Sequence, residues 1–164
     1  MSKAVKGLGS LPQIGLELPD ADKGYTCPHC GQFCKRYYRH FNSNMAIALI
    51  VLYRNLDKGF VHLENLMKEA GYKRCGDASY LRHYRLIEKK EGKREDGSPR
   101  NGMYKITSAG IMFVEGKTKV KKKYIIYNNK HEGFEGDEIT IQDALGTKFD
   151  YRQLMDGDYT IQKR

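Results

Sequence analysis

The sequence predicts an α+β protein built around one principal domain. Three observations carry that prediction. Apolar residues recur at helical spacing from Met45 to Leu56, and two short strand-like stretches, Leu86–Lys90 and the alternating Met103–Ile106, flank a basic loop with Gly and Pro. The length, 164 residues, suits one domain with small attachments and leaves room for a modest core.

Residues 1–23 carry Gly7, Gly9, Pro12, Gly15 and Pro19 with no period of 2 or 3.6, which predicts a flexible arm. Residues 24–42 form a small Cys-rich knuckle with basic and aromatic residues. Ser43 or Asn42 can then cap a helix in which Met45, Leu49, Leu52 and Leu56 share one face, widened by Ile47, Ile50, Val51 and Tyr53. So apolar a helix must be central. After Asp57-Lys58-Gly59, the residues Phe60-Val61-His62 suit a short strand, and Leu63, Leu66, Met67 and Ala70 make a second helix that Gly71 stops. Asp77 can cap a third helix with Leu81 and Tyr84 inward and Ser79, Arg82, His83 and Arg85 outward. A strand from Leu86, a loop at Glu91–Gly102, a returning strand at Met103–Ile106 and a Thr107-capped helix ending at Gly116 complete residues 43–116. In residues 117–164, Val120–Tyr127 reads as a strand, and two capping boxes, Thr140-x-x-Asp143 and Asp150-x-x-Gln153, open short helices.

The net charge of +9 and pI near 9.3 point to an anionic partner. Every charge from Lys117 to Lys130 is positive, whereas Glu132, Glu135, Asp137, Glu138, Asp143, Asp150, Asp156 and Asp158 crowd the closing segment. The cationic field therefore belongs to the middle of the chain, with the acidic tail pointing elsewhere or masking part of it. The longest apolar run, Met45–Tyr53, is about half of the ~20 residues a membrane span needs. With no signal-like segment, a cytoplasmic protein is expected.

Three of the four cysteines fall within Cys27–Cys34, a spacing of metal ligands in a reducing compartment more than of a disulfide framework. Cys27-Pro28-His29-Cys30-Gly31 can aim two thiolates at one tetrahedral zinc ion. Cys34 would be the third ligand and His40 the fourth, with Cys75 and His29 competing for that last place. The alternative is a knuckle without metal, in which Cys34 and Cys75 are small core residues. A structural zinc would hold Lys35, Arg36, Tyr37, Tyr38 and Arg39 on a rigid face, either to meet phosphates and bases or with the tyrosines packed on the buried helix. A thiol redox role lacks the βαβ surroundings it needs.

The phrases LRHYRLIEKKEG (Leu81–Gly92) and GMYKITSAGIMFV (Gly102–Val114) give residues 45–114 the order of a winged helix-turn-helix, and the stretch resembles DNA-binding domains of that superfamily. From Cys27 to Met155 the chain also resembles phage and prophage proteins in which a Cys-Pro-x-Cys zinc knuckle precedes such a domain. The fold expected is thus a winged helix-turn-helix with an N-terminal zinc-knuckle-like segment and a small β/α C-terminal extension. The resemblance implies DNA binding by a phage or bacterial regulator of transcription inside a bacterial host cell, with a homodimer a common state of such domains. Where these domains often have Gly at the end of the recognition helix, this chain has Arg85, which then turns left-handed or ends the helix differently.

On that reading Ser79, Arg82 and His83 enter the major groove, Arg82 reading guanine. Lys73 and Arg74 before the helix, and Lys89, Lys90, Lys93, Arg94 and Arg100 on the wing, clamp phosphates. RNA is the alternative polymer. Glu95 and Asp96 oppose a phosphate backbone at the wing tip. The competing function is a protein-interaction factor, such as a phage protein that grips a host protein, with no sequence-specific DNA readout. An enzyme is not expected: the chain has no phosphate-binding Gly loop with Lys-Ser/Thr, no nucleophile elbow and no paired-His zinc helix.

Overall fold

A computed structural model describes residues 20–73, 76–93, 95, 97, 102–128 and 130–159. The chain is α+β. In order it forms β1 (Tyr25–Thr26), β2 (Phe33–Cys34), β3 (Arg36–His40), α1 (Ser43–Arg54), a 3-10 turn (Leu56–Lys58), β4 (Val61–His62), α2 (Leu63–Glu69), a 3-10 segment (Gly76–Tyr84), β5 (Ile87–Lys89), β6 (Met103–Ile106), α3 (Ser108–Val114), β7 (Val120–Tyr127), β8 (Lys130–Ile139), α4 (Ile141–Leu145) and α5 (Tyr151–Met155).

Helix α1 is the axis of the core. The Asn42 side chain accepts the Met45 amide at 3.0 Å to start it, and every residue from Met45 to Leu52 is buried. It is enclosed by α2, α3, α4, α5 and the 3-10 segment. Full burial of Leu49 or Ile50 contributes about 1.5–3 kcal/mol each, so this helix supplies a large share of the drive to fold. Helix α2 ends as expected at Gly71: the Gly71 amide donates to the Lys68 carbonyl and the Tyr72 amide to that of Met67, a Schellman closure that needs the left-handed residue Gly71 supplies.

Two three-stranded sheets flank the helices. One has the order β4-β6-β5, all antiparallel, with Val61 opposite Tyr104 and Ile87 opposite Ile106. Thr107 caps α3 by accepting the Gly110 amide at 3.1 Å, and Gly110 lies so close to the Leu86 carbonyl that a Cβ there would clash with its oxygen.

The second sheet has the order β3-β7-β8 and joins parts of the chain that read as separate attachments. Strand β3, from the Cys-rich segment, pairs with β7, Arg36 opposite Tyr127 through His40 opposite Lys123. Strand β8 is a correction to the expectation of a merely acidic tail. Its Gly133, Gly136 and clustered acids weaken the local strand signal, yet it pairs along β7 and sets Glu138 opposite Lys121 and Glu135 opposite Lys123. The tail thus masks part of the cationic run directly. Helix α4 carries the complete Thr140–Asp143 capping box, and Asp150 caps α5 by accepting the Gln153 amide. The Tyr151 hydroxyl donates to the Val114 carbonyl at 2.6 Å, and Arg54 donates to the Met155 carbonyl, so α5 is pinned to the core. Among the described residues, no helix is long and apolar enough to cross a membrane.

Candidate nucleic-acid interface

The segment expected to be a recognition helix is the 3-10 stretch Gly76–Tyr84. Its buried residues are Ala78, Leu81 and Tyr84, spaced by three, so a 3-10 helix, with its three residues per turn, puts them on one side. Asp77 does not cap an α-helix. It lies inside the stretch at φ −86° and ψ 15°, and its carboxylate faces the Asn42 amide at 3.5 Å. Arg85 takes the left-handed conformation at φ +59°, donating its amide to the Arg82 carbonyl while the Leu86 amide reaches the Leu81 carbonyl. This is a Schellman closure with arginine in the glycine position, and the Thr107 hydroxyl holds it by donating to the Arg85 carbonyl at 2.7 Å.

Arg82 and Arg85 are exposed, and Arg82 Nε donates to the Ser79 carbonyl at 3.3 Å, with Ser79 half-buried. His83 is placed differently from the groove-reading role expected of it. Its ring stacks on His131 of β8, with centroids 4.9 Å apart and planes at 13°, and also touches Tyr80 and Tyr124. Burial first, then the nearby His131 and Arg82 charges, lower its affinity for a proton. Strand β8 therefore stands on that flank of the segment, and His83 is packed where a base contact was expected.

Lys73 is exposed just before the segment, and Lys90 and Lys93 are exposed after β5, whereas Lys89 is half-buried. Glu95 is also exposed, close in sequence to Lys93. Arg74, Arg94, Arg100 and Asp96 lie outside the described residues, as does Cys75.

In the knuckle, β1 and β2 form a hairpin with Tyr25 opposite Cys34, closed by the Cys27 amide donating to the Gln32 carbonyl and the Gly31 amide to that of Cys27. The Cys30 and His29 amides and the Cys30 side chain bond the Cys27 sulfur and hold its thiol below its ordinary pKa, as suits a thiolate. Cys34 Sγ instead approaches the Gln32 carbonyl at 3.6 Å. His40 is the last residue of β3, about 13 Å along the strand from Arg36, at ~3.3 Å per residue. Strand extension therefore carries His40 away from the cysteines, and among the described residues no group of three His, Cys, Asp or Glu gathers as a metal site. The set Cys27, Cys30, Cys34 and His40 does not close around one ion in this arrangement.

The basic aromatic run after the knuckle is not one face, because a strand alternates. Arg36 turns to one side, bonding Asp22 at 3.0 Å and Glu132 at 2.7 Å, while the Tyr38 hydroxyl donates to Asp22 at 2.8 Å. These donors, Tyr38 foremost and then Arg36, lower the Asp22 pKa. Tyr37 and Arg39 lie on the opposite side. Sequence reasoning did not single out Tyr80, Tyr124 or Phe134, which gather near them. The signal was present in the alternation of Tyr124 and Ile126, but it acquires meaning only once β3 and β8 are known to pair with β7. Comparisons with family models, with curated proteins and with solved structures find no match.

Proposed function

We propose that this protein binds duplex DNA as a winged helix-turn-helix regulator that reads the phosphate backbone more than the base sequence. What carries the reading is the exposed pair Arg82 and Arg85 on the 3-10 segment and its closing turn, followed by Lys90 and Lys93 at the loop between β5 and β6. The order α1, β4, α2, 3-10 segment, β5, loop, β6, with β6 between β4 and β5, supports the winged reading. The burial of His83 against His131 removes one of the few side chains that sequence readout would use, which favours backbone contacts. The same burial supports a second reading, a protein-interaction factor with no sequence-specific readout.

Substituting Arg82→Ala or Lys93→Ala should weaken binding to random duplexes by a similar factor for every sequence. Each should also reduce the salt slope by roughly one, because one phosphate fewer is neutralised. Lys68→Ala, on an exposed position of α2 paired with Glu64, serves as the control. Unchanged duplex affinity in both Arg82→Ala and Lys93→Ala would refute the proposal.

We also propose a structural zinc at the knuckle, with Cys27 and Cys30 as two of its four ligands and the amide bonds to Cys27 as support. Elemental analysis of freshly purified protein should find zinc, and Cys27→Ser should release it. Less than about half an equivalent in the unaltered protein would count against the site.

A further inference from the structure

The β3-β7-β8 sheet sorts its side chains by chemistry. Residues directly opposite each other share a face, so Arg39, Tyr124 and Phe134 lie on one side, as do Tyr37, Ile126 and His131, two positions along. The 3-10 segment covers the middle of that face: Tyr80 stacks on His83, both rings lie tilted against Tyr124, and Tyr84 meets Phe134 at 4.8 Å. Rings remain open around this covered centre. Tyr37 is 43 % exposed, Tyr80 38 % and Phe134 41 %. Lys35 and Arg39 both lie over the Tyr37 ring, at 5.7 and 5.5 Å, and Arg82 is exposed on the segment that carries Tyr80.

Two acids of β8 are turned away. Glu132 bonds Arg36 on the opposite face, and Glu135, next to Phe134 in an alternating strand, points with Lys123 to that same side. Asp77 lies near Tyr124, whose pKa is raised by burial first and then by Asp77, and its carboxylate is engaged by Asn42. Flat open rings with cations over or beside them, and acids on the reverse, match unpaired nucleotides: bases stack on the rings while phosphates meet the cations. Duplex DNA cannot use the rings in this way, because its bases are already stacked.

We propose that this face binds single-stranded DNA by base stacking on Tyr37, Tyr80 and Phe134, as a second site beside the duplex surface. The choice of DNA as polymer rests on the duplex-binding reading; the stacking chemistry stands on the rings and cations themselves.

The test uses the full chain, a labelled thymidine homopolymer and a labelled random duplex, measured by fluorescence anisotropy at one salt concentration. Tyr37→Ala and Phe134→Ala should each lower single-strand affinity by about 5- to 100-fold, since a base stacked on an aromatic ring contributes about 1–3 kcal/mol. Duplex affinity should stay within about twofold, and Tyr37→Phe should keep single-strand binding because the ring is retained. Tyr37→Ala should melt at the temperature of the unaltered protein, whereas Phe134→Ala, whose ring also packs on Tyr84, should melt lower and is read at a temperature where it is folded. Binding of the duplex but not the homopolymer by the unaltered protein would overturn this inference alone, whereas binding of neither would overturn the duplex reading too. The inference also fails if Tyr37→Phe loses as much affinity as Tyr37→Ala, or if polyglutamate competes as well as the homopolymer at equal charge. A uridine homopolymer bound more than about tenfold tighter would overturn the assignment to DNA.

Discussion

At the scale of single residues, Arg85 and His83 show how local chemistry is set by what surrounds it. Arg85 holds φ +59° because Thr107 and the Leu86 amide fix the turn around it. For an L-residue that conformation costs roughly 1–2 kcal/mol. Arg85→Gly should therefore raise stability by about 1 kcal/mol, partly offset by the extra freedom glycine gives the unfolded chain. Chemical denaturation checks this, and a lower midpoint would contradict it. His83 provides a pH dependence whose sign follows from its depressed pKa. The unfolded chain takes up the proton more readily, near the ordinary value of about 6.5, so the packed His83 contributes fully above that pH and its contribution is lost as pH falls through the lower folded value. A melting temperature that falls as pH drops below about 6.5 is expected, with a shallower fall in His83→Gln; an identical pH profile for that variant would exclude His83 as the source.

At the scale of elements, most helices were legible and the sheet around the Cys-rich segment was not. Helix α1 announces itself because its apolar positions satisfy the period of 3.6 and Asn42 stands at the cap. Helix α3 is equally clear, with Thr107 before it and Gly116 after it. Gly110 inside α3 gives no such signal, since its reason is the Leu86 carbonyl on another part of the chain. Gly110→Ala should destabilise the protein by about 1–3 kcal/mol, although alanine is the better helix former, because helix propensity contributes less than the clash. A stabilised Gly110→Ala protein would show that α3 does not press against Leu86 in solution. The 3-10 character of Gly76–Tyr84 was hidden for a similar reason. Leu81 and Tyr84 alone fit either helix type, and only with Ala78 as the third buried residue does the spacing of three become clear. Strands β3 and β8 are held by pairing with β7, and for β3 that partner lies far along the chain, which no local periodicity reports.

At the scale of the whole molecule, the positive charge is distributed differently from its distribution in the sequence. The densest cationic run lies on β7, yet Lys121 and Lys123 stand opposite Glu138 and Glu135, and Arg36 is held by two carboxylates. The exposed cations then lie at Arg82, Arg85 and Lys93 and around Tyr37. Part of the candidate site was readable in advance, in Arg82 and the basic loop, because residue type and turn chemistry suffice to mark exposed cations. The surroundings of His83 and His40 were not readable in the same way, since one packs on a ring of β8 and the other ends β3. The central claim is that a surface of exposed cations binds the backbone of duplex DNA. Its most direct test is the affinity of the unaltered protein for a random duplex as salt is raised from ~50 to ~200 mM. Neutralising about six phosphates predicts a fall of roughly 10³-fold, linear in the logarithms, whereas no binding at the lower salt, or binding that salt leaves unchanged, would contradict the claim.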